Sequence, residues 1–169
     1  MKRHAKKALL VGNIEIPYTG YALESDKDSV TVAEISSFQL ETMVTFKPHV
    51  TAILNITPDH LDRHKTLENY IAIKESITKN QDENDFCVLN YNDPVLREFG
   101  KTPRCKVIFF SSSEELESGV FLRGDTMIIK ENGVETPVCT TKDTSLVGMH
   151  NYENIMAAIA MTHAMGCLL

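Results

Sequence analysis

Two histidines, two aspartates and an arginine lie within Asp59–His64 of the 169-residue chain, in the stretch ILNITPDHLDRH. They directly follow a short apolar run, which is the pattern of a buried strand that ends in a loop. Such a group fits a divalent cation site or general acid–base chemistry. It also fits a solvated loop in which Thr57 is a helix N-cap and Pro58 the first helical residue. The structural interpretation leaves His60 unexplained, and both interpretations stay open.

A lysine falls inside an apolar helical stripe a little further along the chain. The segment TLENYIAIKESITK places Leu67, Tyr70, Ile71 and Ile77 on one face, with Lys74 in the centre. An ammonium group is costly to bury without a partner. Either the stem of Lys74 lies on the core while its head reaches water, or the side chain points into a functional site.

Polar residues end three of the β-rich runs. Asn13 ends ALLVGN, Glu34 ends SVTVAE and Asn55 ends HVTAILN. Ligands of open α/β sheets bind at the carboxyl ends of the strands, so these residues would line one rim if the three strands share a sheet. Each also has an ordinary interpretation, as a turn former or a solvated side chain.

The start of the last predicted helix carries a further polar group, in GMHNYENIMAAIA. Asn151 and Asn154 share one helical face at a spacing of i, i+3. Helix capping accounts for one of His150, Asn151 and Asn154 but not for all three.

Short β-rich runs alternate with helical segments along most of the chain. This alternation predicts an α/β fold with a mostly parallel sheet and crossover helices. Asn132-Gly133 between β-rich runs predicts a small antiparallel meander over 119–139. We see no linker between independent domains and expect one domain over 1–169. The predicted strands are 8–13, 29–35, 49–55, 86–90 and 105–110, and the predicted helices are 38–46, 66–80, 93–100 and 149–165.

Composition narrows the class of protein. The net charge of −6 makes nucleic acid or an anionic membrane an unsuitable partner, so neither is expected. No apolar run reaches the roughly 18 residues of a membrane span. The four cysteines show no C-x-x-C pair, which favours a reducing, cytoplasmic setting.

Four motifs together resemble the central domain of the Mur ligase family. They are AEISSFQLE (33–41), NITPDHLDRH (55–64), YIAIK (70–74) and GMHNYENIMAAIA (148–160). Within the family, SSFQLE is similar to the members that add D-glutamate. The resemblance implies a cytoplasmic enzyme of peptidoglycan precursor synthesis. Such an enzyme uses ATP to join D-glutamate to UDP-N-acetylmuramoyl-L-alanine through an acyl phosphate.

The resemblance also implies a role for each motif residue. Glu34 and His60 would be Mg²⁺ ligands, and Lys74 would be carbamylated and hold the second Mg²⁺. Lys74 and His60 would thereby be the catalytic residues. Asn13 and Ser36 would contact the UDP-muramoyl substrate, whereas Asn151 and Asn154 would lie along the nucleotide.

The phosphate loop of the family has no match in these residues. FGKT (99–102) lacks the first glycine of G-x-x-x-x-G-K-[ST], and Pro103 follows it. We therefore expect a fragment, truncated on its N-terminal side and without the flanking domains, that is inactive alone. An exposed sheet edge would favour its self-association.

Two other functions stay open at this point. The first is a non-catalytic assembly module. The second is a metal-dependent phosphohydrolase, which requires Asp59, His60, Asp62 and His64 to converge.

Overall fold

A computed structural model of the protein describes residues 7–14 and 16–167. The chain divides into two compact units, Met1–Met43 and Val44–Leu169. Strands and helices alternate in both, so the α/β class predicted from the sequence is confirmed. The interpretation of 1–169 as one functional domain stays a prediction.

The first unit is built on a two-stranded parallel sheet. Strand β1 (Lys7–Gly12) pairs with β2 (Ser29–Glu34) at every position. A 3₁₀ segment (Tyr18–Tyr21) lies in the connection, and helix α1 (Ser37–Glu41) follows β2. α1 is shorter than the predicted 38–46.

The second unit contains a six-stranded sheet with its strands in chain order. The first four strands are parallel, and the last two are added antiparallel. The strands are β3 (Val50–Ile53), β4 (Phe86–Asn90), β5 (Lys106–Ser111), β6 (Gly119–Arg123), β7 (Thr126–Glu131) and β8 (Val134–Thr140). The helices are α2 (Leu61–His64), α3 (Leu67–Glu75), α4 (Pro94–Phe99) and α5 (Met149–Ala164), with 3₁₀ segments at Ser76–Thr78 and Thr141–Asp143.

The predicted meander is confirmed and extends the parallel sheet. β6, β7 and β8 form consecutive antiparallel pairs. The β7–β8 turn holds Asn132 at φ 52° and Gly133 at φ 78°, which are the left-handed conformations that an Asn-Gly hairpin turn requires.

Helix α5 packs over the parallel part of the sheet and closes the main core. Its apolar face is buried against residues of β4, β5 and β6, so the orientation of the helix is set by the sheet. The buried residues of this core are Val88, Phe110, Val120, Met127, Ile129, Met156, Ala157, Ile159 and Ala160.

Helix starts in the second unit follow local capping chemistry, with one correction. Thr66 caps α3 by accepting from the amide of Asn69, and Asp93 caps α4 ahead of Pro94. The predicted cap at Thr57 is wrong, because 54–60 is not helical and α2 begins only after His60. His60 has φ 52°, and a residue in the left-handed region cannot continue an α-helix.

The expectation that three strand ends line one rim of a single sheet is also corrected. β1 and β2 form a sheet of their own, whereas β3 belongs to the six-stranded sheet. Sequence periodicity identifies strands, but which strands become neighbours depends on pairings between distant segments. Among the described residues, no helix is long and apolar enough to cross a membrane.

Candidate functional site

The ends of β1 and β2 bring Asn13 and Glu34 together. The amide Nδ2 of Asn13 donates to Oε1 of Glu34 at 3.0 Å, and the Asn13 backbone N–H donates to the Glu34 carbonyl at 2.8 Å. Gly12 makes this approach possible, since a Cβ there would lie 2.1 Å from the Glu34 carbonyl oxygen. The Glu34 side chain is exposed, so its carboxylate is oriented by Asn13 and accessible to a ligand.

Ser36 lies two residues further on and caps α1. Its hydroxyl accepts from the amide of Gln39 at 3.3 Å, and the Gln39 side chain accepts from the Ser36 amide at 2.8 Å. This capping box gives Ser36 a structural role. A substrate role for Ser36 stays a prediction. In that role the hydroxyl would contact the substrate while it also caps α1.

His60 lies in the loop between β3 and α2. Its backbone N–H donates to Oδ1 of Asp59 at 2.8 Å, and its Nε2 lies 3.4 Å from Oδ2 of the same residue. The His60 imidazole is about half exposed, at 48%. The exposed His60 ring is accessible to a cation or a phosphate.

His64 differs from its neighbours in this motif. It is buried at 4% exposure, and its ring lies 5.4 Å from that of Tyr70, whereas Asp59, His60 and Asp62 are exposed. The four side chains of the phosphohydrolase interpretation therefore face different surroundings. Within 7–14 and 16–167, no three His, Cys, Asp or Glu side chains lie close enough together to hold a metal ion.

Lys74 reaches the carboxyl end of β3. Its Nζ donates to the backbone carbonyl of Asn55 at 3.1 Å and lies 5.0 Å from the centre of the Tyr70 ring. The Lys74 head is thus directed towards the end of β3, where a backbone carbonyl and an aromatic face hold it. Its place in a functional site with Glu34 and His60 stays a prediction.

The first turns of α5 carry the predicted nucleotide residues. Asn151 is half-buried and donates from Nδ2 to the carbonyl of Val147 at 2.8 Å, while Asn154 is exposed. Gly148 occupies the N-cap position at φ 104° and provides no side-chain cap. Asn151 thus helps to fix the start of the helix, and Asn154 is accessible.

A polar network at the ends of β4 and β5 was missed by the sequence reasoning. Asn90 is the last residue of β4 and is 4% exposed, and its Nδ2 donates to the Leu54 carbonyl at 3.1 Å and to Oε2 of Glu153 at 3.3 Å. Ser112 follows β5 and donates to Oε1 of Glu153 at 2.6 Å. Polar residues after FCVLN and CKVIFF were the available signal, of the same kind that singled out Asn13 and Asn55.

The predicted site residues therefore fall into two groups. Asn13, Glu34 and Ser36 belong to the first unit, and His60, Lys74, Asn151 and Asn154 belong to the second. A metal site shared by Glu34, His60 and Lys74 joins residues of both units and stays a prediction.

Comparison with known proteins gives a consistent family. A model described as the Mur ligase middle domain matches residues 5–162. The chain is 50% identical over 165 residues to a UDP-N-acetylmuramoylalanine–D-glutamate ligase of Lachnoclostridium phytofermentans, covering 98% of this chain and 36% of that protein. It is 47% identical over 161 residues to the protein of the same name from Lachnospira eligens, covering 95% of this chain and 36% of the relative. The chain thus spans about a third of the length of these relatives.

Solved structures share the fold at low sequence identity. A crystal structure of MurF from Acinetobacter baumannii superposes with a TM-score of 0.68 at 19% identity, covering 96% of this chain and 38% of that one. MurF of Thermotoga maritima in complex with ADP gives a TM-score of 0.66 at 18% identity, with 98% and 40% covered. Because the family model matches residues 5–162, which is nearly the whole chain, the chain belongs to the Mur ligase family and matches that family's middle domain.

Proposed function

We propose that this chain is part of a ligase that joins D-glutamate to UDP-N-acetylmuramoyl-L-alanine at the expense of ATP. The observation that carries the proposal is the 50% identity over 98% of the chain to a ligase of that name. The geometry supports it, since the Lys74 amine lies at a strand end where open α/β sheets bind ligands. A cytoplasmic location and a role in peptidoglycan precursor synthesis belong to the same proposal.

The reaction divides into two steps. The substrate carboxylate attacks the terminal phosphorus of ATP, which forms an acyl phosphate and releases ADP. The amine of D-glutamate then attacks the acyl carbon, the C–O bond to phosphate breaks, and phosphate leaves with the amide formed. Positioning of the reactants, together with electrostatic stabilisation of the transition state, provides most of the rate enhancement in phosphoryl transfer.

The residues present fit Mg²⁺ in part. Glu34 supplies carboxylate oxygens and His60 an imidazole nitrogen, and both side chains are exposed. Lys74 fits only as a carbamate, because an ammonium repels a cation. For carbamylation the ammonium first loses a proton, and the neutral Nζ then bonds to the carbon of CO₂ and loses a second proton. The positive charge of the side chain is thereby replaced by a negative one. Bound Mg²⁺ would neutralise phosphate charge during transfer.

The remaining predicted residues would orient the substrates. Asn13 holds the Glu34 carboxylate and would meet the UDP-muramoyl substrate beside it, together with Ser36. Asn151 and Asn154, on the first turns of α5, would lie along the nucleotide. The 169-residue polypeptide alone is expected to be inactive, because it supplies no phosphate loop.

The test is an amino-acid specificity assay on a ligase that carries this chain between its flanking domains. We expect ADP release that requires UDP-N-acetylmuramoyl-L-alanine, Mg²⁺ and D-glutamate together, with a product heavier by one glutamyl residue in the mass spectrum. L-Glutamate and D-alanine serve as controls. Turnover with another amino acid in place of D-glutamate would contradict the proposed substrate.

A further inference from the structure

Glu153 connects the start of α5 to the ends of two strands. Its Oε1 accepts from the Ser112 hydroxyl at 2.6 Å, and its Oε2 accepts from Asn90 Nδ2 at 3.3 Å. Glu153 and Ser112 are half-buried and Asn90 is buried. One carboxylate thus joins the second turn of a helix to β4 and to the residue that follows β5.

The Asn90 side chain forms hydrogen bonds through both its nitrogen and its oxygen. Besides Glu153, its Nδ2 bonds the Leu54 carbonyl at 3.1 Å, and its Oδ1 accepts from the Asn92 backbone N–H at 3.0 Å. The amide therefore has one orientation that satisfies all its partners. Loss of the Glu153 carboxylate would leave a buried N–H of Asn90 without this acceptor, which destabilises the contact between α5 and β4.

The start of α5 is held by apolar and polar contacts. Gly148, at the N-cap position, offers no side chain, whereas the half-buried side chains of Tyr152 and Ile155 pack against the main core. The Asn151 side chain bonds Val147, which belongs to the same loop and not to the sheet. Glu153 is thus a side-chain tie from these first turns to the strand ends.

Glu153 lies between Asn151 and Asn154 in the chain. We propose that Glu153 is a positioning residue, which sets the first turns of α5 on the strand ends and thereby aims Asn151 and Asn154 at the adenine nucleotide. The inference rests on the proposed function for its ligand, whereas the tie itself rests on the geometry alone. Among the described residues, the Glu153 carboxylate accepts from the side chains of Asn90 and Ser112, so it acts through its neighbours.

The first experiment measures the tie in the 169-residue protein by hydrogen exchange, in Glu153→Ala and Glu153→Gln. We expect amide exchange over residues 151–156 to be about tenfold faster in Glu153→Ala, since about 1.4 kcal/mol of local protection corresponds to a factor of ten. Glu153→Gln should be intermediate, because its carbonyl oxygen still accepts from Ser112. Glu117→Gln, a matched change at an exposed position, should leave exchange unchanged. Unchanged exchange in Glu153→Ala would overturn the proposal.

The second experiment measures kinetics in the ligase that carries this chain. Glu153→Ala should raise the KM for ATP about five- to tenfold while kcat changes less than about twofold, because ground-state binding is lost. Glu153→Gln should restore part of the KM. Faster exchange with an unchanged KM would reduce Glu153 to a structural residue and overturn the positioning role. A parent enzyme without ATP-dependent ligation would instead refute the proposed function, while the exchange data still decide whether the tie exists.

Discussion

Gly12 allows the end of β1 to pass close to the backbone of β2. Its φ is 110°, and an added Cβ would lie 2.1 Å from the Glu34 carbonyl oxygen and 2.9 Å from the Glu34 nitrogen. Both contacts are with backbone atoms, so no side chain can move to relieve them. The position that aligns Asn13 with Glu34 therefore requires glycine.

Replacing Gly12 by alanine should lower the local stability of the β1–β2 pair by about 1–3 kcal/mol, because the backbone must shift or adopt a strained conformation. Hydrogen exchange of the β1 and β2 amides measures the effect. Gly20→Ala is the control, since a Cβ there would meet only the Ile16 Cγ2 at 3.4 Å. Equal effects of the two substitutions would refute this explanation.

Lys74 should matter to catalysis far more than to stability. Lys74→Ala removes one hydrogen bond from a half-buried ammonium to the Asn55 carbonyl, so the free energy of unfolding should fall by about 1 kcal/mol or less. In the ligase, turnover should fall by about 10²-fold or more, the typical loss when a fixed electrostatic group is removed. Short-chain carboxylic acids should restore part of it by replacing the carbamate.

Lys79→Ala is the matched control for Lys74, because Lys79 is exposed and lies at the end of the same helical segment. It should change neither turnover nor stability. Rescue of Lys74→Ala by chloride as well as by acetate would contradict the role of a carbamate, since only the carboxylate reproduces its oxygens.

A charged cluster fastens the segments that lead into β3 and β4. Buried Asp85 accepts from Lys47 at 3.2 Å, from His49 Nδ1 at 3.0 Å and from the Asp82 backbone N–H at 3.0 Å. Burial by itself raises the pKa of Asp85, but these three donors outweigh it and hold that pKa below 3.8. The Lys47 ammonium, together with the backbone of Asn84, lowers the pKa of Asp82 to about 2.

This cluster predicts an acid-dependent loss of stability. A carboxyl whose pKa is lower in the folded protein stabilises it fully above the unfolded value, near 3.8, and the stabilisation disappears as the pH falls through the folded pKa. Unfolding measured from pH 6 to 2 should therefore show a steeper decline below about pH 4 in the parent than in Asp85→Asn. The exposed neighbour variant Glu83→Gln should follow the parent, and a parallel decline in all three proteins would exclude this cluster as the cause.

Local patterns predicted most strands and helices, and they did so for physical reasons. Continuous apolar runs identified β4 and β5, and Asn132-Gly133 identified the hairpin turn, because both signals depend on a few adjacent residues. The interpretation of Thr57-Pro58 as a helix start is wrong. These residues have the chemistry of one, but the left-handed backbone at His60 places the start of α2 after it.

Tertiary pairing explains what the sequence left out of the candidate site. Glu153 resembles an ordinary solvated helix residue until β4 and β5 bring Asn90 and Ser112 to it. The separate β1–β2 sheet likewise follows from pairing between distant segments. Motif residues were predictable because their types are chemically specific, whereas their supporting partners were not.

The two compact units differ in what they can bury. Val44–Leu169 contains the six-stranded sheet and its cores, whereas the first unit has a two-stranded sheet with few buried residues. A two-stranded sheet is at best marginally stable in water by itself. We expect 44–169, expressed alone, to unfold in one cooperative denaturant transition and 1–43 alone to lack one. A folded 1–43 peptide in its circular dichroism spectrum would contradict this.

ATP should bind weakly to the 169-residue polypeptide. Its residues provide no phosphate loop, and hence no ring of backbone N–H donors around the phosphates. We expect a Kd in the millimolar range, or about −4 kcal/mol, by calorimetry. A micromolar Kd would contradict the interpretation of these residues as part of a larger nucleotide site.

The Asn132-Gly133 turn is also a site where deamidation is chemically favoured. Asparagine before glycine loses ammonia when the glycine nitrogen attacks the side-chain carbonyl carbon, since no side chain on glycine hinders the five-membered ring. Both residues are held in left-handed conformations by the β7–β8 hairpin, and ring closure needs the backbone to leave that turn. Slow deamidation at Asn132 during storage would therefore record how often the tip of the hairpin opens.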